Sequence, residues 1–468
     1  MSTGRLVSVA VLLIALELCA QPPAIFHDGV SNSASRVAAS LPFGGLAPGS
    51  RITIKGVRLE KSVLRVNQRK ARTLKADHTS AEFLLPLDLP TGPAELIIEG
   101  AGGASHPFPV TIVASAFGIR TLRRVGRNMT LDGSGLGNGA QDIEVVVGGR
   151  PLRPSKIHSG AVGNDRIEFR LPAGPLNGCH LSVYVRSKSH VSNFVDLAGL
   201  PGCADEPWPI LAPAPRGSGS LILIRSTLKT VRRSWTADSA QGVFFRSAKP
   251  LQAPPLWFPL GTGQCRLESA PLAQSLHDPL GSLRLDKADL KMLIPGQSIS
   301  IGTRNVPVNG AGAYISTLGG TSPLMPRPKP LFFEPGRKYG IGVPNSQPGR
   351  FSADVPFIDD LEFSLAATGP FDGSVKWRTS QPLVAIVIYS QNDYSSVEAV
   401  CAAKGSDGAL TIPSDILRSL PTTITVPGAL AGYVGVAALS APAPFTAAGV
   451  KKSIVTTVRF RIDEAEFK

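Results

Sequence analysis

From Val125 to Leu197 apolar and polar residues alternate with a period of two, and this alternation restricts the fold more than any other feature of the chain. Met129 and Leu131, Val145 and Val147, Ile167, Phe169 and Leu171, and Leu181, Val183 and Val185 fall on one side. Glu144, Arg166, Glu168, Arg170, Ser182 and Arg186 fall on the other. A strand turns successive side chains to opposite faces, so the pattern describes half-buried antiparallel strands, one face on a core and one in water. Glycine turns at Gly133 and Gly135 and at Gly148 and Gly149 separate them.

A weaker copy lies upstream. Residues 48–56 (PGSRITIKG) align with 125–133 (VGRNMTLDG), each followed three residues later by a leucine, Leu59 or Leu136. LPTGPAELII (89–98) aligns with LPAGPLNGCHLSV (171–183), and Ser105 to Phe108 with Ser189 to Phe194. In the upstream copy Ile52 and Ile54, then Leu64 and Val66, then Phe108, Val110 and Ile112 point inward. A period of roughly 75 residues means duplicated domains, since solenoid units are shorter.

The motif order PGS-apolar-T-apolar-x-G-x-x-L, V-x-V-x-G, L-P-x-G, S-N-x-V resembles IPT/TIG modules. These are immunoglobulin-like β-sandwiches of bacterial surface proteins, plexins and transcription factors. The paired arrangement is similar to that of exported soil-bacterial proteins in which two such modules precede a β-rich C-terminal region of unknown function. Residues 41–200 carry the resemblance. Residues 218–468 carry it loosely, through GQC (263–265), FFEPGRKYGI (332–341), VKWRTSQPLVAIVI (375–388), Cys401 and LTIPSDILRSLP (410–421). The first module departs from the pattern, with NQRKARTLK (67–75) where the V-x-V-x-G-G turn belongs. No DNA-reading loop of the transcription-factor members matches, so no specific nucleic-acid recognition is implied.

The expected fold is all-β: tandem immunoglobulin-like (IPT/TIG-type) sandwiches, then a larger β-rich region of two sandwich-like subdomains. The expected plan is a signal peptide (1–20), a patternless flexible lead-in (21–40), sandwiches at 41–115 and 116–200, a Pro/Gly-rich linker (201–219), a β-rich subdomain (220–345) and a second, sandwich-like one (346–468). Only 287–293 and 414–420 read as helical, the latter with Ser414 as N-cap. Arg5, the apolar run Leu6–Leu16 and Ala20 form the secretory signal. The run is too short to span a membrane, and the mature chain has no transmembrane segment. The chain is expected to be secreted, on the cell surface or periplasmic. Four cysteines then remain, Cys179, Cys203, Cys265 and Cys401. Without a CxxC or a histidine at ligand spacing they suggest disulfides, not zinc. Neighbours in the plan pair Cys179 with Cys203 and Cys265 with Cys401, although an even set of four allows three connectivities.

Motifs for chemistry are sparse. Gly135, Gly137 and Gly139 mimic a dinucleotide fingerprint, but a strand follows where a helix must. Ser226 and Lys229 have acyl-enzyme spacing inside an apparent strand, without companion motifs. The seven histidines never pair at catalytic or metal spacing. Asp359, Asp360 and Glu362 could offer oxygens to calcium but lack the spaced loop of a dedicated site. No catalytic residue, cofactor or metal is therefore expected. Lys and Arg exceed Asp and Glu by 48 to 34, and nine of them crowd between Arg51 and Lys75 against Glu60 alone. Arg51, Lys55 and Arg65 on strands, with Arg69, Lys70, Arg72 and Lys75 in a loop, make a candidate polyanion surface; a solvated face is the plainer account. Two functions fit. One is a non-catalytic exported protein with a structural, adhesive or binding role toward extracellular polysaccharide or another anionic polymer. The other is an extracellular hydrolase with its site in 218–468 and the modules as spacers.

Overall fold

The computed structural model describes residues 21–173, 181–188, 190–197, 214–247, 261–271, 290–310, 312–321, 327–343, 353–365, 371–393, 395–424, 431–447 and 450–468. The chain is an all-β protein of tandem immunoglobulin-like sandwiches and a larger β-rich region. It divides into two compact units: Met1–Ala173 with Tyr184–Phe194, and Gly174–Val183 with Val195–Lys468. The signal segment, Cys179, Cys203 and most of the linker lie outside the described residues.

In the first unit, one sheet of the first sandwich runs Ala24–Asn32, Arg51–Val57, Ser80–Leu84, Arg72–Ala76. The other runs Arg69–Lys70, Val63–Val66, Gly92–Gly100, Gly103–Ala104, with Phe108–Ile112 also on Gly92–Gly100. The alternating residues meet as predicted: Ile52, Ile54, Leu64, Val66, Phe83, Leu96 and Ile98 are wholly buried in one core. Each such side chain contributes roughly 1.5–3 kcal/mol by leaving water. The second sandwich repeats the first sheet's order with Gly118–Val125, Asn128–Ser134, Asp165–Arg170 and Lys156–His158.

A hydrogen-bond detail fixes the correspondence of the repeats. Ser105 Oγ accepts from Ile98 N at 3.0 Å and donates to the His106 carbonyl. Ser192 Oγ accepts from Val185 N at 2.8 Å and donates to the Asn193 carbonyl. Ser105 thus corresponds to Ser192, and the sequence match to Ser189 was displaced by three residues.

Residues 21–40 are not a loose lead-in. Ala24–Asn32 pairs antiparallel with Arg51–Val57, across a register shift between Ile25 and Val30. Val30, Asn32 and Val37 are buried. The polar and glycine residues around that irregularity hide the period of two. Asn32 then ties the two sandwiches: its Nδ2 donates to the carbonyls of Ala116 and Ser134, at 3.1 and 2.9 Å. Its Oδ1 accepts from Ala34 N at 2.9 Å.

In the second unit a ten-stranded sheet dominates. Its order is Cys265–Pro271, Ser395–Lys404, Leu383–Gln391, Gly432–Leu439, Val450–Glu464, Ala214–Lys229, Ser234–Ser247, Leu290–Met292, with Tyr314–Gly320 and Ala443–Ala447 as side branches. Strands come from both sides of residues 344–351, so a boundary there cuts through the sheet and the expected 220–345 and 346–468 do not form separate sandwiches. The pairing of Ala214–Lys229 with Val450–Glu464 is parallel, from Ser218 opposite Lys452 to Lys229 opposite Asp463. One face, with Leu221, Leu223, Phe244 and Val455, shares a core with Ile299, Ile301, Tyr339 and Ile341 of a four-stranded sheet. The other carries Ile222, Phe245, Ala385, Val387, Val400 and Ala437. Cys265 and Cys401 stand directly opposite each other and form the expected disulfide, S–S 2.01 Å.

Three local readings are corrected. Leu290–Met292 is a strand against Phe245–Ser247, because a free sheet edge outweighs the helical spacing of a short segment. The second helix is confined to Ser414–Leu417, and Pro413 takes its N-cap position. Ser182 does not face water. It is buried, its N–H on Gln264 Oε1 and its Oγ on the Cys265 carbonyl, each at 2.9 Å. No helix among the described residues is long and apolar enough to cross a membrane.

Candidate binding site on the large sheet

Register assembles a polar row that no sequence segment contains. Glu268 stands opposite Glu398, Glu398 opposite Tyr389, Tyr389 opposite Tyr433, and Tyr433 opposite Glu464. The row crosses five strands on the face that carries Val387, Val400 and Ala437. Side chains so opposed lie about 4.5–5.5 Å apart at Cβ. Tyr389 and Tyr433 stack at 5.0 Å with planes 10° apart. Tyr389 donates its hydroxyl to Gln391 Oε1 at 2.7 Å. Gly435, next on this face after Tyr433, could carry no side chain: a Cβ would come within 2.5 Å of the Phe460 ring.

The carboxylates are unequal. Burial, and then repulsion from Glu268, pushes Glu398 up to about 7. Among the described residues it makes no hydrogen bond or ion pair. Glu268 is held instead by Arg266 Nε at 3.3 Å. Arg266 also reaches Asp196 Oδ2 at 3.5 Å, and burial raises Asp196 to about 6 against that attraction. Burial lifts the Tyr433 phenol well above its ordinary value, with Glu398 and Tyr389 adding to the effect. Near neutral pH Glu398 can therefore carry a proton beside two aromatic rings, all half-buried. Such a surface can accept hydroxyl hydrogens and cover apolar C–H groups.

On the opposite face a second charged group is sealed. Arg225 donates to both oxygens of Asp238, at 2.8 and 3.0 Å, and to Asp359 Oδ2 at 2.8 Å. Asp238 Oδ2 also accepts from the N–H groups of Phe332 and Phe333, at 2.7 and 2.8 Å. Asp359 pairs with Arg459 at 2.5 Å, and Arg225 lies 5.2 Å from the centre of the Phe357 ring. Two positive and two negative charges cancel, which makes this a fastening between the sheet and the 332–333 and 357–359 segments.

The residues singled out in sequence fall elsewhere. The seven cations of the first module do not share one face. Arg51, Lys55, Arg72 and Lys75 belong to one sheet, and Arg65, Arg69 and Lys70 to the other. Arg51 pairs with Glu82, Arg65 with Glu99 and Arg69 with Asp88. Lys55, Lys70, Arg72 and Lys75 make no ion pair among the described residues. In the glycine run, Gly135 (φ 106°) and Gly137 (φ 57°) curve the chain around a carboxylate of the protein itself. Buried Asp165 takes the Gly135 and Leu136 N–H groups at 2.8 and 2.9 Å, the donors a phosphate would need. Ser226 and Lys229 point to opposite faces of their strand. Asp359 is engaged by arginines, Asp360 by Ser380 and Gln381, and Glu362 by Arg378. No cluster among the described residues offers three metal-binding side chains.

No family model and no curated protein matches the chain. Among solved structures, it aligns over 39% of its length with 26% of the γ-CGTase of alkalophilic Bacillus clarkii, at 13% identity and TM-score 0.17. The chain thus spans about a quarter of that enzyme. It also aligns over 82% of its length with 94% of SGBP-B from a complex xyloglucan utilization locus in Bacteroides uniformis, at 11% identity and TM-score 0.17. A titin tandem of immunoglobulin domains covers 33% of the chain at 11% identity and TM-score 0.14. Scores this low carry no argument about ligand or activity.

Proposed function

We propose that this chain is an exported, non-catalytic multidomain β protein that binds an extracellular polysaccharide, with tandem IPT/TIG-like sandwiches within residues 24–200. One observation carries the reading: the stacked Tyr389–Tyr433 pair bordered by Glu398, a carboxyl group without a described partner. Sugars present C–H faces to aromatic rings and hydroxyl edges to carboxylates, and this row offers both. Affinity electrophoresis of the full chain through neutral plant and bacterial polysaccharides tests it. Tyr433→Ala should abolish retardation in at least one polymer, while Tyr389→Phe, which keeps the ring, should preserve it. Retardation by no polymer, or equal retardation of parent and Tyr433→Ala, rejects the reading.

A second reading, glycoside hydrolysis, has its own observation in Glu268 and Glu398. Burial raises Glu398 to about 7, which suits a general acid, and Glu268, opposite it in register and held by Arg266, is the carboxylate placed to act beside it. Turnover of a retarding polymer, lost in Glu398→Gln with retardation kept, would select this reading over binding alone.

A further inference from the structure

Three arginines follow one another on the sealed-network face of the large sheet, and only two have their carboxylates. Register sets Arg459 beside Arg225 and Arg461 beside Thr227, with Asp238 and Thr236 across from these two. Arg225 and Arg459 are answered by Asp238 and Asp359. Arg461 is not. Its Nε is wholly covered and has no hydrogen-bond partner among the described residues, and the guanidinium makes no ion pair there. Beside it, the hydroxyls of Thr227 and Thr236 lie 3.0 Å apart, and Arg459 Nη2 donates to Thr227 at 2.9 Å.

The surroundings are basic. Lys229 is exposed next along the same face, and Arg232 and Arg233 are exposed at the turn that follows, without ion pairs to described residues. Two carboxylates are near. Asp463, opposite Lys229, accepts from Leu365 N at 3.4 Å, and Glu464 accepts from Val231 N at 3.1 Å. Four cations against two carboxylates leave an excess of positive charge. Trp235, the aromatic of the turn, pairs in register with Leu228 and so falls on the opposite face. Trp235 therefore gives this face no stacking platform of the kind that single-stranded nucleic acid uses. A guanidinium fork matches a carboxylate or sulfate in bidentate fashion, which a lone ammonium cannot do.

We propose that this end of the large sheet binds an acidic polysaccharide. A carboxylate or sulfate of the sugar chain takes the place at Arg461 that Asp238 and Asp359 take at its neighbours, and Lys229, Arg232 and Arg233 hold adjacent charges. The site lies on the other face from the tyrosine–carboxylate row and does not depend on it.

The test is titration of the full chain with polygalacturonate, heparin and random duplex DNA at low and physiological ionic strength. The first polymer supplies carboxylates alone, the second adds sulfates. Arg461→Gln should weaken binding to polygalacturonate or heparin by about tenfold or more, the loss of a charge-assisted hydrogen bond. Arg461→Lys should restore only part of it. The exposed triple variant Lys229→Gln, Arg232→Gln, Arg233→Gln leaves the core untouched and should flatten the salt dependence. The proposal fails if neither polysaccharide binds at low salt. It fails if Arg461→Gln, with unchanged circular dichroism and melting temperature, binds both like the parent. It also fails if charge reversal at Arg69, Lys70 and Arg72 alone removes the binding, or if DNA binds at least as tightly with the same Arg461 dependence.

Discussion

The two units bury polarity in different ways. The first buries chiefly neutral groups, with one carboxylate, Asp165, held by backbone N–H groups: Asn32 bridges its sandwiches by amide hydrogen bonds, and His190, lining a crevice with Asn32, Phe117 and Asn193, is driven down to about 4 by burial. The second buries charge. Arg225, Asp238, Asp359 and Arg459 neutralise one another, while Asp196 and Glu398 are lifted to about 6 and about 7. A buried amide, or a carboxylate ringed by backbone N–H groups, needs only hydrogen-bond geometry, whereas the second unit's buried arginines need countercharges as well. Charged interiors therefore depend on partners from distant strands, and they fail harder when one is removed.

The described tryptophans, Trp235 and Trp377, belong to the second unit, so their fluorescence reports on it. The largest expected effect is loss of the Cys265–Cys401 bridge. Joint replacement by serine should destabilise this unit by about 4–5 kcal/mol in the chain-entropy model, given a separation of 136 residues. Urea titration followed by tryptophan emission would detect it; an unmoved midpoint would contradict the cross-link's role. Asp238→Ala should come next, at about 3–5 kcal/mol, because it strands Arg225 in the interior. Asn32→Ala should cost about 1–3 kcal/mol, in the first unit alone. Amide exchange in 24–57 should quicken while tryptophan emission stays put, and a shift in both would erase the contrast.

The smallest effect is on pH. Folded Asp196 and Glu398 keep protons that the unfolded chain releases, so the second unit should gain stability as pH falls from about 7 toward 5. Folded His190 refuses a proton that the unfolded chain accepts below about 6.5, so the first unit should lose stability as pH falls from there toward about 4. Parallel melting curves by fluorescence and by amide exchange should diverge; curves that move together would mean that other groups dominate.

Where strands pair with sequence neighbours, the fold could be read directly. Ile52, Ile54, Met129, Leu131, Ile167 and Phe169 alternate and are buried. Ala24–Asn32 was missed because its register breaks at polar residues. The single large sheet was missed because Ala214–Lys229 meets Val450–Glu464 more than two hundred residues later, beyond any local pattern. The candidate site was equally hidden. Glu398 interrupts the apolar run in SSVEAVCAA, a weak sign of function, Tyr389 closes the run in AIVIYSQ and Tyr433 opens GYVGVAAL, but only register makes them neighbours.

The parallel seam between Ala214–Lys229 and Val450–Glu464 has a consequence for how the molecule is made. Each is flanked in the sheet by other strands, so the seam sits in the sheet's interior, not at its edge. As the ribosome delivers the chain, the earlier strand must wait with one side open until residue 464 has emerged. Pairing across such a span is slow to nucleate, and an open apolar strand invites wrong partners meanwhile. Strand 214–229 can spend that interval against its own hairpin mate, Ser234–Ser247, which is available at once. That hairpin is the natural starting point for assembly, and chains halted before residue 450 should accumulate as sticky, incomplete products.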